Sequence, residues 1–275
     1  KKAMKRIKLE DGKGTRNGVI WHTQGSGKTL TMVMLVKMTQ RDPDIKNPRF
    51  VLVSDRINLD KQLRDNFIKT NMHPVRAKTG AGLIELIANE ENIIITTLVN
   101  KFEAAVKQKF VYPNENIFLL IDEGHRTHYG SLNTYMNHAL PNAVKIAFTG
   151  TPLIKDKKKL TTAKFGPFID IYSLEDANED KVIVPLVYEG RYIPQDVTSE
   201  KIDDYLKYLT APLTKEEVED LKKKWSRFVP LSQTKQRLDM VAFNVYEHFI
   251  NYCKPKGFKA ILACSSRPAA VDLFY

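Results

Sequence analysis

Short apolar runs alternate with longer amphipathic segments along about the first 180 residues of the chain. The runs predict strands at residues 18–22, 50–54, 93–96, 117–121 and 144–148. Apolar positions at helical spacing predict helices at residues 28–40, 57–69, 81–88, 98–107 and 131–138. The run Ile117–Ile121 contains no polar residue, which is typical of a strand buried on both faces of a parallel sheet. The pattern therefore predicts an α/β domain with a parallel sheet over residues 1–182.

The alternation stops after about residue 153, where the chain becomes loop-rich and charged. The run Val182–Tyr188 then predicts a crossing strand, in which Pro185 is compatible only with an edge position or a bulge. Thr214 and Glu217 have the spacing of a capping box, which predicts a helix from Thr214 to about Phe228.

Two more elements are predicted towards the end of the sequence. Residues at helical spacing predict a core-facing helix from Thr234 to Cys253. The run Ala260–Ala263 predicts a last strand, which leads into Ser265 and Arg267. One strand and the start of a helix do not complete a sheet. We therefore expect residues 183–275 to begin a second domain with a helical insertion at 199–235, and the chain to be a fragment of a longer polypeptide.

A glycine-rich segment connects the first predicted strand to the first long helix. It reads Gln24-Gly25-Ser26-Gly27-Lys28-Thr29, and this position between strand and helix is where such a string binds phosphate. Glycines allow backbone N–H groups to surround an anion, and the helix N-terminus adds partial positive charge. We expect Lys28 to reach the β- and γ-phosphates of ATP and the Thr29 hydroxyl to bind Mg²⁺. His22 stands where the strict eight-residue pattern has glycine, so the loop is a variant.

A pair of acids follows the apolar run that ends at Ile121. Asp122 and Glu123 would lie at the carboxyl end of a parallel strand, where open α/β sheets bind ligands. Two acids after a strand are more often a helix cap or a solvated turn. Together with an upstream phosphate loop, they indicate a metal site in which Asp122 holds Mg²⁺ and Glu123 polarises water.

Polar residues also follow the other predicted strands. They include Arg56 after the second strand, Thr96 and Thr97 at the end of the third, and Thr149-Gly150-Thr151 after the fifth. A single such position would mean little, because hydroxyls and glycines cap turns everywhere. Their recurrence at one edge of the predicted sheet indicates a functional site.

Composition adds a compartment and a class of partner. The net charge of +11 and the 43% hydrophobic content describe a basic globular protein, which favours a polyanionic partner only weakly. No apolar run approaches the roughly twenty residues that span a bilayer, and no signal peptide is visible. Cys253 and Cys264 are expected to be buried thiols without function in a reducing cytoplasm.

The motifs together resemble those of superfamily 2 helicase-type motors, and within them the restriction subunits of type I restriction–modification systems. The resemblance covers nearly the whole chain. Its specific segments are Trp21–Thr29, Val53–Gln62, Ile121–Arg126, Ala147–Pro152 and Cys264–Arg267.

The resemblance implies a RecA-like P-loop NTPase domain at residues 1–182, followed by an incomplete second RecA-like lobe at 183–275. Such a motor uses ATP and Mg²⁺ to pump double-stranded DNA without separating the strands. Its partners would be the methyltransferase and specificity subunits of the restriction–modification complex.

The resemblance also implies roles for individual residues. Lys28, Glu123 and His125 would act in catalysis, and Gln24, Gly25, Ser26, Gly27 and Thr29 would hold ATP. Thr149, Gly150 and Thr151 would couple the nucleotide state to DNA contacts. The DNA backbone would be faced by Arg56, Thr79, Gly80, Thr96, Thr97, Ser265 and Arg267. For Thr96 and Thr97, helix capping has equal weight with DNA contact.

Parts that the family needs lie outside these residues: the nuclease domain, the adenine-reading glutamine element and the later motifs of the second lobe. We therefore expect the isolated chain to hydrolyse ATP poorly and to cut no DNA. Two other functions share the motifs. One is a strand-separating superfamily 2 DNA or RNA helicase, and the other is a nucleotide-binding switch without motor activity.

Overall fold

The computed structural model of the chain describes residues 1–91, 93–124, 129–152, 161–185, 187–192, 211, 213–214, 216–219 and 235–274. Contacts within the chain divide it into two units, Lys1–Leu186 and Val187–Tyr275. They are called unit 1 and unit 2 below.

Within the described residues of unit 1, seven strands form one sheet, and all hydrogen-bonded neighbours run parallel. The strands are β1 Gly18–His22, β2 Arg49–Ser54, β3 Val75–Arg76, β4 Ile94–Leu98, β5 Ile117–Asp122, β6 Val144–Thr149 and β7 Phe168–Tyr172. Their order across the sheet is β3-β4-β2-β5-β6-β1-β7. The predicted α/β fold with a parallel sheet is thereby confirmed.

Helices cover both faces of this sheet. In the described part of unit 1 they are α1 Lys2–Ile7, α2 Lys28–Gln40, α3 Ile57–Lys69, α4 Gly80–Ala88, α5 Phe102–Lys107, α6 Tyr129–Ala139, α7 Thr161–Phe165 and α8 Leu174–Glu179. A 3₁₀ turn, Val99–Lys101, leads into α5. Helices α1 to α3 bury apolar side chains in one cluster, whereas α4 to α7 contribute to the cluster on the opposite face.

The central strand β5 shows why its sequence is an unbroken apolar run. Phe118 and Leu120 pack into the cluster beneath α1 to α3, whereas Leu119 and Ile121 pack into the opposite cluster. All four side chains are fully buried, and each contributes about 1.5–3 kcal/mol through removal from water. Both faces of the strand therefore require apolar residues, and Asp122 is the first position that does not.

The predictions missed two strands of the sheet. Strand β3 has only two residues, too few to give a pattern. Strand β7 forms an edge of the sheet next to β1, and it is half-buried with Asp170 at its centre. An edge strand that carries a charge lacks the apolar run by which the inner strands were found.

Two predicted strands are wrong. Residues 182–185 and 187–188 form no strand, and Val184, Val187 and Tyr188 are at least 87% exposed. Residues Ala260–Ala263 are also irregular, with Ile261 96% exposed. An apolar run becomes a strand only where a neighbour pairs with its backbone, and the described residues offer neither segment such a neighbour.

Unit 2 is helical over most of its described length. Helix α9, Lys235–His248, continues as a π-helical turn, Phe249–Cys253, and lies within the predicted helix. A short helix α10 spans Arg267–Asp272, and Ser266 caps it by accepting a hydrogen bond from the Ala269 N–H at 3.2 Å.

Two smaller expectations also fall in unit 2. The predicted capping box is present, since Thr214 N–H donates to Glu217 Oε2 at 2.9 Å. Residues 216–219 are helical, and 220–228 lie outside the described residues. Cys253 and Cys264 are half-buried rather than buried, because the segments around them are largely exposed. None of the helices in the described ranges is both long and apolar enough to cross a membrane.

One buried charge joins the sheet to a helix of unit 1. Arg49 begins β2 and is only 6% exposed. Its guanidinium donates to the carbonyl oxygens of Ile87, Leu86 and Asn89 at 2.8, 3.0 and 2.8 Å. These carbonyls belong to the C-terminal end of α4, where helices have unsatisfied acceptors. The arginine therefore caps α4 and ties it to β2.

Replacing Arg49 by alanine should reduce the free energy of unfolding by about 3 kcal/mol, because buried carbonyl groups lose a charged donor. Lys107→Ala is the control, since Lys107 pairs with Glu103 at 2.8 Å on an exposed helix face, where solvent screening leaves such a pair little effect on stability. Urea denaturation of both variants measures the difference. Equal losses would show that Arg49 does not hold α4.

Candidate functional site

The phosphate-loop sequence forms the connection between β1 and α2. Gly25 and Gly27 have φ angles of +81° and +84°, a region that residues with a Cβ rarely adopt. Gly27 also precedes the first turn of α2, and no side chain caps that turn. The N–H groups at the start of α2 are therefore free of a side-chain acceptor and suited to an anion.

Lys28 bends back over this loop. Its Nζ donates to the carbonyl oxygens of His22 and Thr23, both at 3.3 Å. Hydrogen bonds of this length are weak for a charged donor, so phosphate oxygens could replace the carbonyl oxygens. The side chain is half-buried, and its ammonium lies near the loop that follows β6. A Cβ built on Gly150 of that loop would be 3.4 Å from Lys28 Nζ.

Asp122 and Glu123 lie at the carboxyl end of β5. Burial, together with the negative charges of Glu123 and Asp55, raises the pKa of Asp122 to about 6, against the opposing effect of Lys28. Glu123 has a φ of +52°, which costs a residue with a side chain about 1 kcal/mol or more. Crowded negative charge and backbone strain in adjacent residues are typical of a functional site.

A cavity of about 710 Å³ brings the loop and the two acids together. One wall consists of the phosphate loop and the start of α2, and Asp122 and Glu123 form another part of the lining. The remaining wall comes from α3, through Leu59, Gln62, Leu63 and Asn66. The prediction did not include these α3 residues. Two signals pointed to them: Leu59 and Gln62 lie in the Val53–Gln62 segment that carries the family resemblance, and Gln62 and Asn66 stand four positions apart, which places them on one helix face.

The residues around this cavity fit a nucleotide with Mg²⁺. Glycines with positive φ, an uncapped helix start and a lysine provide the donors that a phosphate chain requires. Thr29 supplies a hydroxyl at the first turn of α2, and Asp122 supplies a carboxylate whose pKa is raised by burial and by neighbouring negative charge, both of which a cation would offset. Hard oxygen ligands of this kind suit Mg²⁺. Bound Mg²⁺ would supply that charge and polarise phosphoryl oxygens.

The loop after β6 lies beside the phosphate loop, as the predicted coupling role of its residues requires. Thr149 is buried, and its Oγ1 accepts a hydrogen bond from Thr151 N–H at 3.1 Å. Gly150 O accepts a bond from the Trp21 indole Nε1–H at 3.2 Å. A Cβ on Gly150 would lie 3.0 Å from Gln24 Cγ and 3.2 Å from Gln24 N. Glycine at this position therefore lets the two loops touch.

The residues predicted to face DNA differ in their surroundings. Arg56 is exposed at the start of α3, and Thr79 is exposed at the start of α4, where its hydroxyl accepts from Gly82 N–H at 3.0 Å. Thr96 and Thr97 are fully buried in β4. Packing of α4 against α5 explains why residue 80 is glycine, since a Cβ on Gly80 would lie 2.2 Å from Ala104 Cβ. Helix packing and capping thus account for part of this set.

Three predicted site residues lie outside the described part of unit 1. His125 lies outside the described residues. Ser265 and Arg267 belong to unit 2, where both are exposed and Arg267 begins α10. Their predicted roles stay predictions.

Comparison with known proteins supplies the family. A family described as SWI2/SNF2 ATPase matches residues 1–219. The chain belongs to the SWI2/SNF2 ATPase family. Family membership and the parallel sheet confirm the RecA-like fold of unit 1.

Similar proteins include endonuclease subunits of type I restriction enzymes. The putative MjaIXP endonuclease subunit of Methanocaldococcus jannaschii is 33% identical over 94% of this chain and 25% of its own length. The HindI endonuclease subunit of Haemophilus influenzae is 34% identical over 95% of this chain and 26% of its own length. The resemblance to type I restriction subunits is confirmed. The chain spans about a quarter of the length of these relatives.

Solved structures give more distant likenesses. The Hef helicase domain of Pyrococcus furiosus is 16% identical, with a TM-score of 0.49 over 91% of this chain and 54% of that chain. A nuclease-deletion mutant of the type ISP restriction–modification enzyme LlaGI, in complex with a DNA substrate mimic, is 14% identical. Its TM-score is 0.48 over 82% of this chain and 23% of that chain. These likenesses are too distant to add to the family assignment.

Asp122→Asn should stabilise the nucleotide-free and Mg²⁺-free protein at pH 7.5 by about 1–3 kcal/mol, because the variant buries no charge. Since the folded-state pKa of Asp122 is raised to about 6, the folded wild type binds more protons than the unfolded chain between about pH 4 and 6. The contribution of Asp122 to wild-type stability therefore falls as pH rises through this window. The difference in free energy of unfolding between Asp122→Asn and wild type should become smaller as pH is lowered towards 5. Urea denaturation at both pH values measures it, and a less stable variant at pH 7.5 would contradict the burial argument.

Gly150→Ala should weaken MgATP binding about tenfold, because the added methyl group contacts Gln24 and Lys28 and separates the two loops. Gly190→Ala in unit 2 is the matched control, since the nearest atom to a Cβ there is 3.8 Å away. Fluorescence titration with a labelled ATP analogue measures both affinities. Unchanged affinity in Gly150→Ala would show that the loop after β6 can move away without consequence.

Proposed function

We propose that this chain is the ATP-dependent double-stranded DNA translocase motor of a type I restriction endonuclease subunit. One observation carries the proposal: Lys28, Asp122 and Glu123 line a single cavity in a chain whose relatives are named as endonuclease subunits of type I restriction enzymes.

Each residue at the cavity has a task that follows from its position. The N–H groups after Gly27 bind the phosphate chain, and Lys28 leaves the carbonyl oxygens of its own loop to pair with the terminal phosphates. Thr29 and Asp122 would hold Mg²⁺ through their oxygen atoms. Glu123 accepts a hydrogen bond from the attacking water and orients it.

The surface near the same sheet edge supports a DNA backbone as the track. Arg56 is exposed at the N-terminus of α3, and Thr79 is exposed at the N-terminus of α4. Helix N-termini and arginine bind phosphate without reading sequence. Thr96 and Thr97 are buried, so their part is to shape the end of β4 rather than to touch DNA. A net charge of +11 agrees with a polyanionic track.

A translocase that moves over any sequence cannot rely on base contacts, and backbone contacts meet this requirement. Coupling would pass through Thr149, Gly150 and Thr151, because this loop touches the phosphate loop at Gln24. Methyltransferase and specificity subunits complete the proposed complex and would supply recognition of the target site.

The chain should bind MgATP, and Lys28→Ala should weaken binding at least tenfold through loss of a charge-assisted contact to phosphate. Lys46→Ala is the control, because Lys46 is exposed near the start of β2, at the opposite end of the strands. Steady-state ATP hydrolysis by the chain should be slow. Linear duplex DNA should increase this rate of ATP hydrolysis more than single-stranded DNA does.

The outcomes separate the functions. Equal binding by wild type and Lys28→Ala would overturn the nucleotide site. ATP hydrolysis at a rate that does not change when DNA is added would favour a nucleotide-binding switch. In a polypeptide of the relatives' length, displacement of a triplex-forming strand without duplex separation supports translocation, and release of a duplex strand would favour a helicase.

A further inference from the structure

The residue before the phosphate loop makes a side-chain contact that its motif does not explain. His22 ends β1 at the position where the strict loop pattern has glycine. Its side chain is 13% exposed, and its Nε2 lies 3.0 Å from Oδ2 of Asp170 in β7. The Tyr172 ring packs edge-on against the imidazole, with centroids 5.8 Å apart.

The direction of this hydrogen bond follows from the charge of Asp170. Burial by itself raises the pKa of Asp170, but hydrogen bonds from Lys2 and His22 outweigh it and lower the pKa below its usual value. The carboxylate is ionised at neutral pH and can only accept. His22 Nε2 therefore carries the proton and donates to Asp170.

The main chain reinforces the same connection. His22 is paired with Tyr172 in the parallel register of β1 and β7, and Thr23 N–H donates to Tyr172 O at 3.0 Å. The carbonyl groups of His22 and Thr23 are also the two that accept from Lys28 Nζ. The two residues joined to β7 thus hold the lysine of the phosphate loop.

The chain after β7 lies close to the loop at a second point. A Cβ built on Gly25 would be 3.5 Å from Ile183 Cγ2. The hydrogen bonds to β7 therefore hold the first residues of the loop from the edge of the sheet, and Ile183 lies close to its turn.

We propose that His22 and Asp170 form a positioning pair that sets the phosphate loop, and Lys28 with it, in the conformation that receives the nucleotide. This inference rests on the proposed function and deepens it. The pair lets β1 end in a histidine where the strict pattern has glycine, because the imidazole is directed to the edge strand rather than into the loop. His22 acts through the loop and does not touch the phosphates.

The test is MgATP affinity and thermal stability of the chain for a set of variants. His22→Ala should bind MgATP about five- to tenfold more weakly, which is less than the full effect of one hydrogen bond to a charged group because His22 acts on the nucleotide only through the loop. His22→Gln should restore affinity to within about twofold, because its amide places a donor near the position of Nε2. Asp170→Ala should match His22→Ala, and the double variant should be no weaker than either single one.

Lys2→Ala is the matched control. Lys2 contacts the other carboxylate oxygen of Asp170 and is 73% exposed, so its loss should leave affinity unchanged. A purely structural role of His22 would lower the melting temperature and not be rescued in affinity by glutamine.

Failure of this inference can be told from failure of the proposed function. If wild type binds MgATP and Lys28→Ala does not, while His22→Ala and Asp170→Ala bind as wild type, the positioning pair is refuted and the nucleotide site stands. If wild type and Lys28→Ala bind equally, the nucleotide site itself is refuted. Independent, multiplying losses in the double variant would also overturn the pair.

Discussion

The site depends on one constraint, which is that the strands of unit 1 run parallel and so end at the same edge of the sheet. Strand β1 lies between β6 and β7, and β5 lies on the other side of β6. Three loops from distant parts of the sequence therefore meet at neighbouring strand ends. Hydrophobic burial on both faces of the sheet holds these strands in register. The polar residues at the strand ends are therefore held in fixed positions relative to one another.

This arrangement stores unfavourable energy where chemistry is proposed. Asp122 is held in a largely buried position beside another carboxyl group, and Glu123 adopts a backbone conformation that favours glycine. Neither feature stabilises the fold. A packed sheet can tolerate both because the apolar runs of β5 and β6 contribute far more than these residues cost. Binding of a metal ion and a nucleotide would offset the unfavourable energy of the buried negative charge.

The spacing of apolar residues along the sequence predicted those elements of the fold that depend mainly on neighbouring residues in the chain. The inner strands and long helices of unit 1 follow from apolar runs and helical spacing, and the phosphate loop follows from glycines between such elements. Strand β7 could not be predicted, because Asp170 is accommodated through His22 and Lys2, which are distant in sequence. The strand predicted at Val182–Tyr188 is wrong for the opposite reason: the run is apolar, but no strand among the described residues pairs with it. The contribution of α3 to the cavity wall also depends on tertiary packing.

The order of strands has a consequence for how the protein is made. Strand β1, which carries the phosphate loop, is synthesised more than a hundred residues before its neighbours, since Gly18 pairs with Ile146 and Ile20 pairs with Asp170. A ribosome must therefore complete most of unit 1 before β1 has either neighbour. Pairings so distant in sequence form slowly, and an unpaired strand is exposed to aggregation in the meantime. The bonds that hold the two ends of the phosphate-loop entry, from Trp21 to Gly150 and from Thr23 to Tyr172, likewise form only after these later residues have been synthesised.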